Sequence, residues 1–513
     1  MTDTRSSHVA ALAAAVEADD LDRIAAIVSG GIFTLLQEDW RLLITAIERL
    51  PEEQVVANPV LAIVRDFGGA VRLRDGAINH KVVPAFSGDG SALPEVPDRV
   101  LDAVLLQEML AHRFRADYDA AKAVADRLRP RISRGDVHGR RPVHDLVAFV
   151  ALHIGITETL HGDLEQALRD LSDARILRAE EQHDLSERDA LLKTALVHAA
   201  LGRIVEAERL AGLAATLPEP GESFQGFLAA TTSSVEALVA VDRLDPRAPE
   251  LIAEALERNV DDELWSLALL ASTRWAIATG DPHGAIDQIE QAAAFRPLPS
   301  GSLPAAIAAA GRAQALAMMG EFGAAAQVLE RGGDCGLRDA AVVRVRLALH
   351  ADGPEAAIAA ARRLVVQSGI GPAARAETML IAAWAQTLLL GSPDPATAAP
   401  LGALIAREGL WRTLQLVPDA VAASIPGLDA APAFPRRLVV PEPGLNVRLT
   451  PNELEILRLL AGPHSLPAIA KSRFVTINTV KSQVSSIYRR LGVHGRREAV
   501  AEATRRGILD LGG

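Results

Sequence analysis

An all-α fold is predicted by three features of this sequence. Apolar residues recur at helical spacing in most windows, as with Leu164, Ala167, Leu168 and Leu171 on one helical face. Alanine and leucine dominate, aromatics are only 4%, and the alternating runs that mark strands are scarce. One short pattern also returns at intervals of about 40 residues, a length that fits helix pairs stacked in an array.

A chain of 513 residues has room for several domains or one long array. With 49% hydrophobic and 23% charged residues it can bury a core, which excludes a disordered chain. No run of 18 uncharged apolar residues occurs, so no membrane span is predicted. The first 20 residues lack the charge order of a signal peptide and are predicted to form a first helix. Asp19, Asp20 and Asp22 are read as the acidic start of the next helix rather than as a cation loop. The lone Cys335 excludes an internal disulfide or a cysteine-rich zinc site and suits a reducing cytoplasm. Its Gly-rich, charged surroundings predict an exposed turn, and one arginine on either side does not make it a redox sensor.

From Asp66 to Pro97 five glycines and three prolines interrupt the helical pattern, and most of that stretch is expected to be loop. The recurring pattern is a small or turn-forming residue followed five positions later by alanine. It occurs as Ala116/Ala121, Gly162/Ala167, Gly202/Ala207, Gly280/Ala285, Gly320/Ala325, Asp352/Ala357 and Gly391/Ala396, with Asp242 in register but lacking the alanine. The first residue would end one helix, where a left-handed conformation costs glycine little. The alanine would mark close packing of the next helix on its partner. Residues 1–420 are therefore expected to be a helical repeat domain with an extended concave surface open to a protein or small-molecule effector. Trp265, Trp275, Trp384 and Trp411 are expected to pack between repeats rather than line a ligand groove.

Five prolines between Val421 and Val447 mark a Pro-rich linker at 421–447. Beyond it the charge changes sign. Residues 448–513 carry 11 Lys+Arg against five Asp+Glu, a balance of +6, while the remainder stands at −18. A small basic end on an acidic body fits an appended nucleic-acid module.

That module divides into four short helices. Thr450, Pro451 and Glu453 form a capping box with proline at N1, and Leu454, Leu457 and Leu460 supply the apolar face. Ser465 caps a second helix with Ile469 and Ala470 inward. After a turn at Ser472–Val475, Thr476 caps a third helix at about Ile477–Leu491. There Val480, Val484, Ile487 and Leu491 share one face, and Asn478, Lys481, Ser482, Ser485 and Arg489 lie away from it. A short helix, a tight turn and a longer helix with a polar outer face make a helix-turn-helix, whose second helix enters the major groove. Lys481, Ser482 and Ser485 are the candidates for reading base edges. Thr479, Arg489, Arg490 and Arg497 are candidates for the DNA backbone, where contacts set affinity and register.

The same segment resembles the LuxR-type helix-turn-helix. The resemblance runs over about 60 residues, through Leu449–Pro451, Glu453, Glu455–Leu457, Ile469–Ala470, Asn478–Lys481, Ile487–Arg489, Leu491–Val493 and Arg497–Val500. It implies a promoter-binding transcription factor that acts on double-stranded DNA as a homodimer, with the last helix, about Arg497–Arg506, supporting dimerisation. Three positions depart from the family pattern. Ala468 replaces a usual glutamate, Pro467 stands where lysine is common, and Gln483 replaces a frequent histidine. The repeated segments, such as LGRIVEAERL, resemble tetratricopeptide repeats with lengthened helices. Ile47–Glu53 and Asn58–Leu61 resemble the entry to the repeat region of MalT-like regulators, which would make this chain such a regulator without the ATPase.

None of the five lysines follows glycine, so no phosphate-cradling P-loop is present. A receiver domain would need alternating strands and helices, which the pattern lacks. His138, His144, His153 and His161 are spaced so that no two share one helical turn, and no metal site is expected. No cofactor and no catalysis are predicted. The resulting expectation is a cytoplasmic, non-enzymatic transcriptional regulator. Its rival is an interaction scaffold whose helix-turn-helix has lost DNA binding, motivated by Pro467 and Ala468.

Overall fold

The computed structural model describes residues 7–57, 61, 98–134, 147–177, 184–218, 222–332, 335–435, 440–443, 449–491, 493, 495–505 and 509. Every regular element among them is helical. The whole stretch 66–97, expected to be mostly loop, lies outside the described residues, as do His138, His144 and Asn58–Val60.

The chain opens with α1 (Ser7–Glu17), α2 (Leu21–Arg49) and α3 (Glu52–Ala57). Asp20 caps α2 by accepting from the Arg23 amide at 3.1 Å, so part of the acidic triplet serves the helix start. Among the described residues eight helix pairs follow. They are α4 (Asp98–Phe114) with α5 (Tyr118–Arg134), α6 (Val147–His161) with α7 (Leu164–Leu177), and α8 (Asp184–Leu201) with α9 (Ile204–Ala215). Then come α10 (Glu222–Arg243) with α11 (Ala248–Arg258), α12 (Trp265–Ala278) with α13 (Pro282–Phe295), and α14 (Leu303–Met318) with α15 (Phe322–Arg331). The last are α16 (Asp339–Ala351) with α17 (Pro354–Val365) and α18 (Pro372–Leu390) with α19 (Pro395–Glu408).

The turn between partners is built as the recurring pattern predicts in most pairs. Ala116, Gly162, Gly202, Gly280, Gly320 and Gly391 all have positive φ. The alanine five positions on is fully buried at 121, 167, 207, 285 and 325. Three pairs differ in detail. Gly353, not Asp352, takes the left-handed conformation, although Ala357 is buried as expected. After Asp242 the left-handed residue is Leu244, and Ala248 supplies the buried contact. In the last pair Ala396 is exposed and Ala398 is buried instead, because Pro395 and the Asp394 cap start α19 at that point.

The expected open concave surface is corrected by the way the array curls. The first helices of the pairs stack on one another, and α8 then meets α18 while α6 meets α14. The approach is close. A Cβ on Gly202 would lie 2.5 Å from the Ala373 Cβ, and one on Gly371 would lie 2.5 Å from the Leu201 carbonyl oxygen. Gly336 donates its amide to the Gly162 carbonyl at 2.9 Å.

A 3-10 turn, Trp411–Leu416, packs against α10, α12 and α18. From it the Arg412 guanidinium, 3% exposed, donates to Asp242 at 2.6 Å and to Glu377 at 2.9 Å. Burial by itself would lower its pKa, but the two carboxylates outweigh burial and hold the cation. Trp384 and Trp411 are buried in the same core, and Trp265 and Trp275 are partly buried. Cys335, expected in an exposed turn, is half-buried against the core of the early pairs, where the Gly162 turn meets it.

Packed structure continues past residue 420. Val421 in α20 (Asp419–Ala423) and Ile425 are buried, and Leu428, Phe434 and Val440 lie against the same core. The Phe434 ring meets Trp275 edge-on at 5.6 Å. Proline prevents a helix here but leaves an extended chain free to bury the apolar side chains between prolines.

Candidate nucleic-acid interface

The C-terminal module has a core of its own, formed by α21 (Pro451–Ala461), α22 (Leu466–Ser472), α23 (Ile477–Leu491) and α24 (Arg496–Arg505). The capping box forms as the sequence predicts. Thr450 donates its amide to Glu453 Oε2 at 2.8 Å, and the Glu453 amide donates to the Thr450 hydroxyl at 3.2 Å. Leu457 and Leu460 are buried, whereas Leu454 is half-exposed and Ile456 fills that place. Ile469 and Ala470 face inward from α22, and Val480, Val484, Ile487 and Leu491 do so from α23.

The tight turn depends on Phe474, which takes φ +56° with its ring 96% exposed. Thr476 then caps α23, accepting from the Thr479 amide at 3.2 Å. Its hydroxyl also pairs with that of Thr479 at 2.8 Å. Pro467 sits at N2 of α22, where an amide hydrogen has no helical partner. Ala468 is exposed, and its amide reaches the Ser465 hydroxyl at 3.4 Å. The helix therefore forms without the carboxylate usual at that place.

Lys481, Ser482 and Ser485 are all exposed on α23, on the side away from the buried stripe. Thr479 is exposed beside them, though its hydroxyl is engaged by Thr476. Arg497 is exposed on α24. The side chains of Arg489 and Arg490 lie outside the described residues.

Three positioning contacts are not legible in the pattern. Ser486 donates to Glu453 Oε1 at 2.8 Å and ties α23 to α21. Arg473 pairs with Glu455 at 2.5 Å and donates to Asn452 at 3.2 Å, locking the turn against α21. Arg496 donates to the carbonyls of Leu460 at 2.9 Å, Gly462 at 2.6 Å and His464 at 2.6 Å. It satisfies the end of α21, whose last carbonyls have no helical partner. No periodicity marks these residues, since each acts across 18 or more positions.

Residues 447–503 match the family of bacterial regulatory proteins, luxR family. Over 63 residues, 12% of this chain and 85% of the relative, the chain is 38% identical to the spore germination protein GerE of Bacillus subtilis (strain 168). The chain belongs to the luxR family. Over 92 residues it is 40% identical to the probable transcriptional regulatory protein NarL of Mycobacterium tuberculosis (strain CDC 1551 / Oshkosh), covering 18% of this chain and 40% of that relative. Over 64 residues it is 41% identical to the transcriptional regulatory protein YdfI of Bacillus subtilis (strain 168), covering 12% of this chain and 30% of the relative. The luxR-family match lies wholly within the C-terminal module and its immediate approach, and the helix pairs lie outside it.

Among the described residues no group of three or more His, Cys, Asp or Glu is placed to hold a metal ion. His153 is partly buried beside Arg113, whose guanidinium reaches its Nδ1 at 3.1 Å, and His161 faces Asp119 at 3.3 Å. No described helix is long and apolar enough to cross a membrane.

Proposed function

We propose that this chain is a transcriptional regulator that binds promoter DNA through α23. The observation that carries the reading is the division of that helix. One face is buried against α21, α22 and α24, and the other presents Lys481, Ser482 and Ser485 with no intramolecular partner among the described residues. Lysine donates to guanine O6 and N7, and serine pairs with several base edges. Arg497, with Arg489 and Arg490, supplies phosphate contacts, and the +6 balance of residues 448–513 favours the duplex. The chain acts as a homodimer on paired half-sites, with α24 at the dimer contact. The preceding pairs are a tetratricopeptide-like, MalT-like body, which receives a protein or small-molecule signal. The role needs no catalysis, and its setting is the cytoplasm.

The test is selection of the full-length protein against a random duplex pool at two salt concentrations. Enrichment of a paired half-site, with affinity falling as salt rises, is the expected result. Absence of enrichment both for the full chain and for residues 448–513 would overturn the reading and leave a scaffold role.

A further inference from the structure

The first turn of α23 carries two side chains that the fold does not use. Ile477, at the first position after the Thr476 cap, is 39% exposed. Asn478 follows it, exposed and without a hydrogen-bond partner among the described residues. Neither has a local structural task. The cap belongs to Thr476. Isoleucine gains nothing at an exposed helix start, and asparagine away from the cap is a poor helix former.

Position in the helix gives both residues a use. Ile477 lies one turn before Lys481, and Asn478 lies one turn before Ser482, so they extend that surface by one turn. They extend it toward the N-terminal end of α23, the end a groove-entering helix brings nearest the base edges. In the major groove an A·T pair shows adenine N7 and N6 on one strand and the thymine C5 methyl on the other. An asparagine amide matches the first, accepting from N6 and donating to N7, and an apolar side chain matches the second.

We infer that Ile477 and Asn478 together read an A·T pair, Asn478 through adenine and Ile477 through the thymine methyl. This rests on the DNA-binding reading above. It assigns to each half-site an A·T requirement next to the bases contacted by Lys481 and Ser482.

The test uses the full-length protein and the duplex it selects. Each thymine is replaced in turn by deoxyuridine, which removes only the methyl, and each adenine by 7-deazadeoxyadenosine, which removes only the N7 acceptor. At one A·T pair per half-site the wild type should lose about fourfold in affinity per half-site for the lost methyl. Loss of the N7 acceptor should cost roughly tenfold there. Ile477→Ala should bind the thymine and deoxyuridine duplexes equally, and Ile477→Val should regain part of the difference. Asn478→Ala should become indifferent to the deaza substitution. Both side chains are exposed, and an unchanged Tm confirms that each variant is folded. If the variants keep the wild-type ratios at every position, or if the wild type ignores every analogue, the assignment fails while the DNA-binding reading stands. A protein that enriches no duplex at all overturns both.

Discussion

Ser486 donates its hydroxyl proton to Glu453 Oε1 at 2.8 Å, while Oε2 of the same carboxylate accepts the Thr450 amide. One side chain, 6% exposed, therefore closes the capping box of α21 and fixes α23 against it. The orientation of the exposed face of α23 depends on this buried contact as well as on apolar packing.

Replacing Ser486 by Ala removes one hydrogen bond from the buried Glu453 carboxylate. It should destabilise the module by about 1–3 kcal/mol. Glu453→Gln keeps the shape but weakens both charge-assisted bonds and should act in the same direction. The loss is read from the unfolding transition of the module, and DNA affinity should fall with it.

Lys481→Ala and Arg497→Ala should differ in kind. The first should cost roughly 1–3 kcal/mol on the selected duplex and relax base preference at one position. The second should weaken binding to all duplexes alike and reduce the salt slope by about 1. Binding isotherms at several salt concentrations separate the two, and identical profiles would argue against the assigned roles.

Gly202 and Gly320 test the curled interior. Both have positive φ, +79° and +82°, but Gly202 faces Ala373 and Gly320 faces open space. Alanine at position 320 should cost only the conformational penalty, about 1–2 kcal/mol. Alanine at position 202 should cost that and roughly 1–3 kcal/mol more, because Ala373 must move. Equal Tm values for the two variants would show that the array does not close between α8 and α18.

Acid should destabilise the helix pairs through two histidines. Burial, followed by the charges of Arg203 and Arg209, lowers His198 to about 4. Burial and the Arg346 charge lower His350 to about 3. Below the ordinary histidine value of 6.5 the unfolded chain takes up protons that the folded chain refuses until about pH 4 and 3, so stability falls as pH drops through that window. Tm should decline from pH 7 to pH 4.5, and a His198→Asn, His350→Gln double variant should show a shallower decline.

Local features were legible because their causes lie within a few residues. The Thr450–Glu453 box, the Thr476 cap, the left-handed turn at Gly162 and the inward row from Val480 to Leu491 each follow from side chains three to five positions apart. The resemblance to the luxR family was carried by the same short spacings. Where a second turn-former or cap stood nearby, as at Gly353 and Ala398, the pattern named the right turn and missed the residue by one or two.

Short spacings along the chain set the helices, the turns between partners, the change of charge near residue 448 and the helix-turn-helix with its exposed Lys481, Ser482 and Ser485. Long-range packing brings α8 to α18, sets Arg412 against Asp242 170 positions away, and holds Val421, Ile425, Leu428, Phe434 and Val440 against the body. Periodicity states which face of a helix is apolar, but every helix of such an array has one. Which faces meet depends on the small rotation between successive pairs, accumulated over several pairs, and on whether glycine at Gly202 and Gly371 lets two backbones touch. Those quantities belong to no single window of residues.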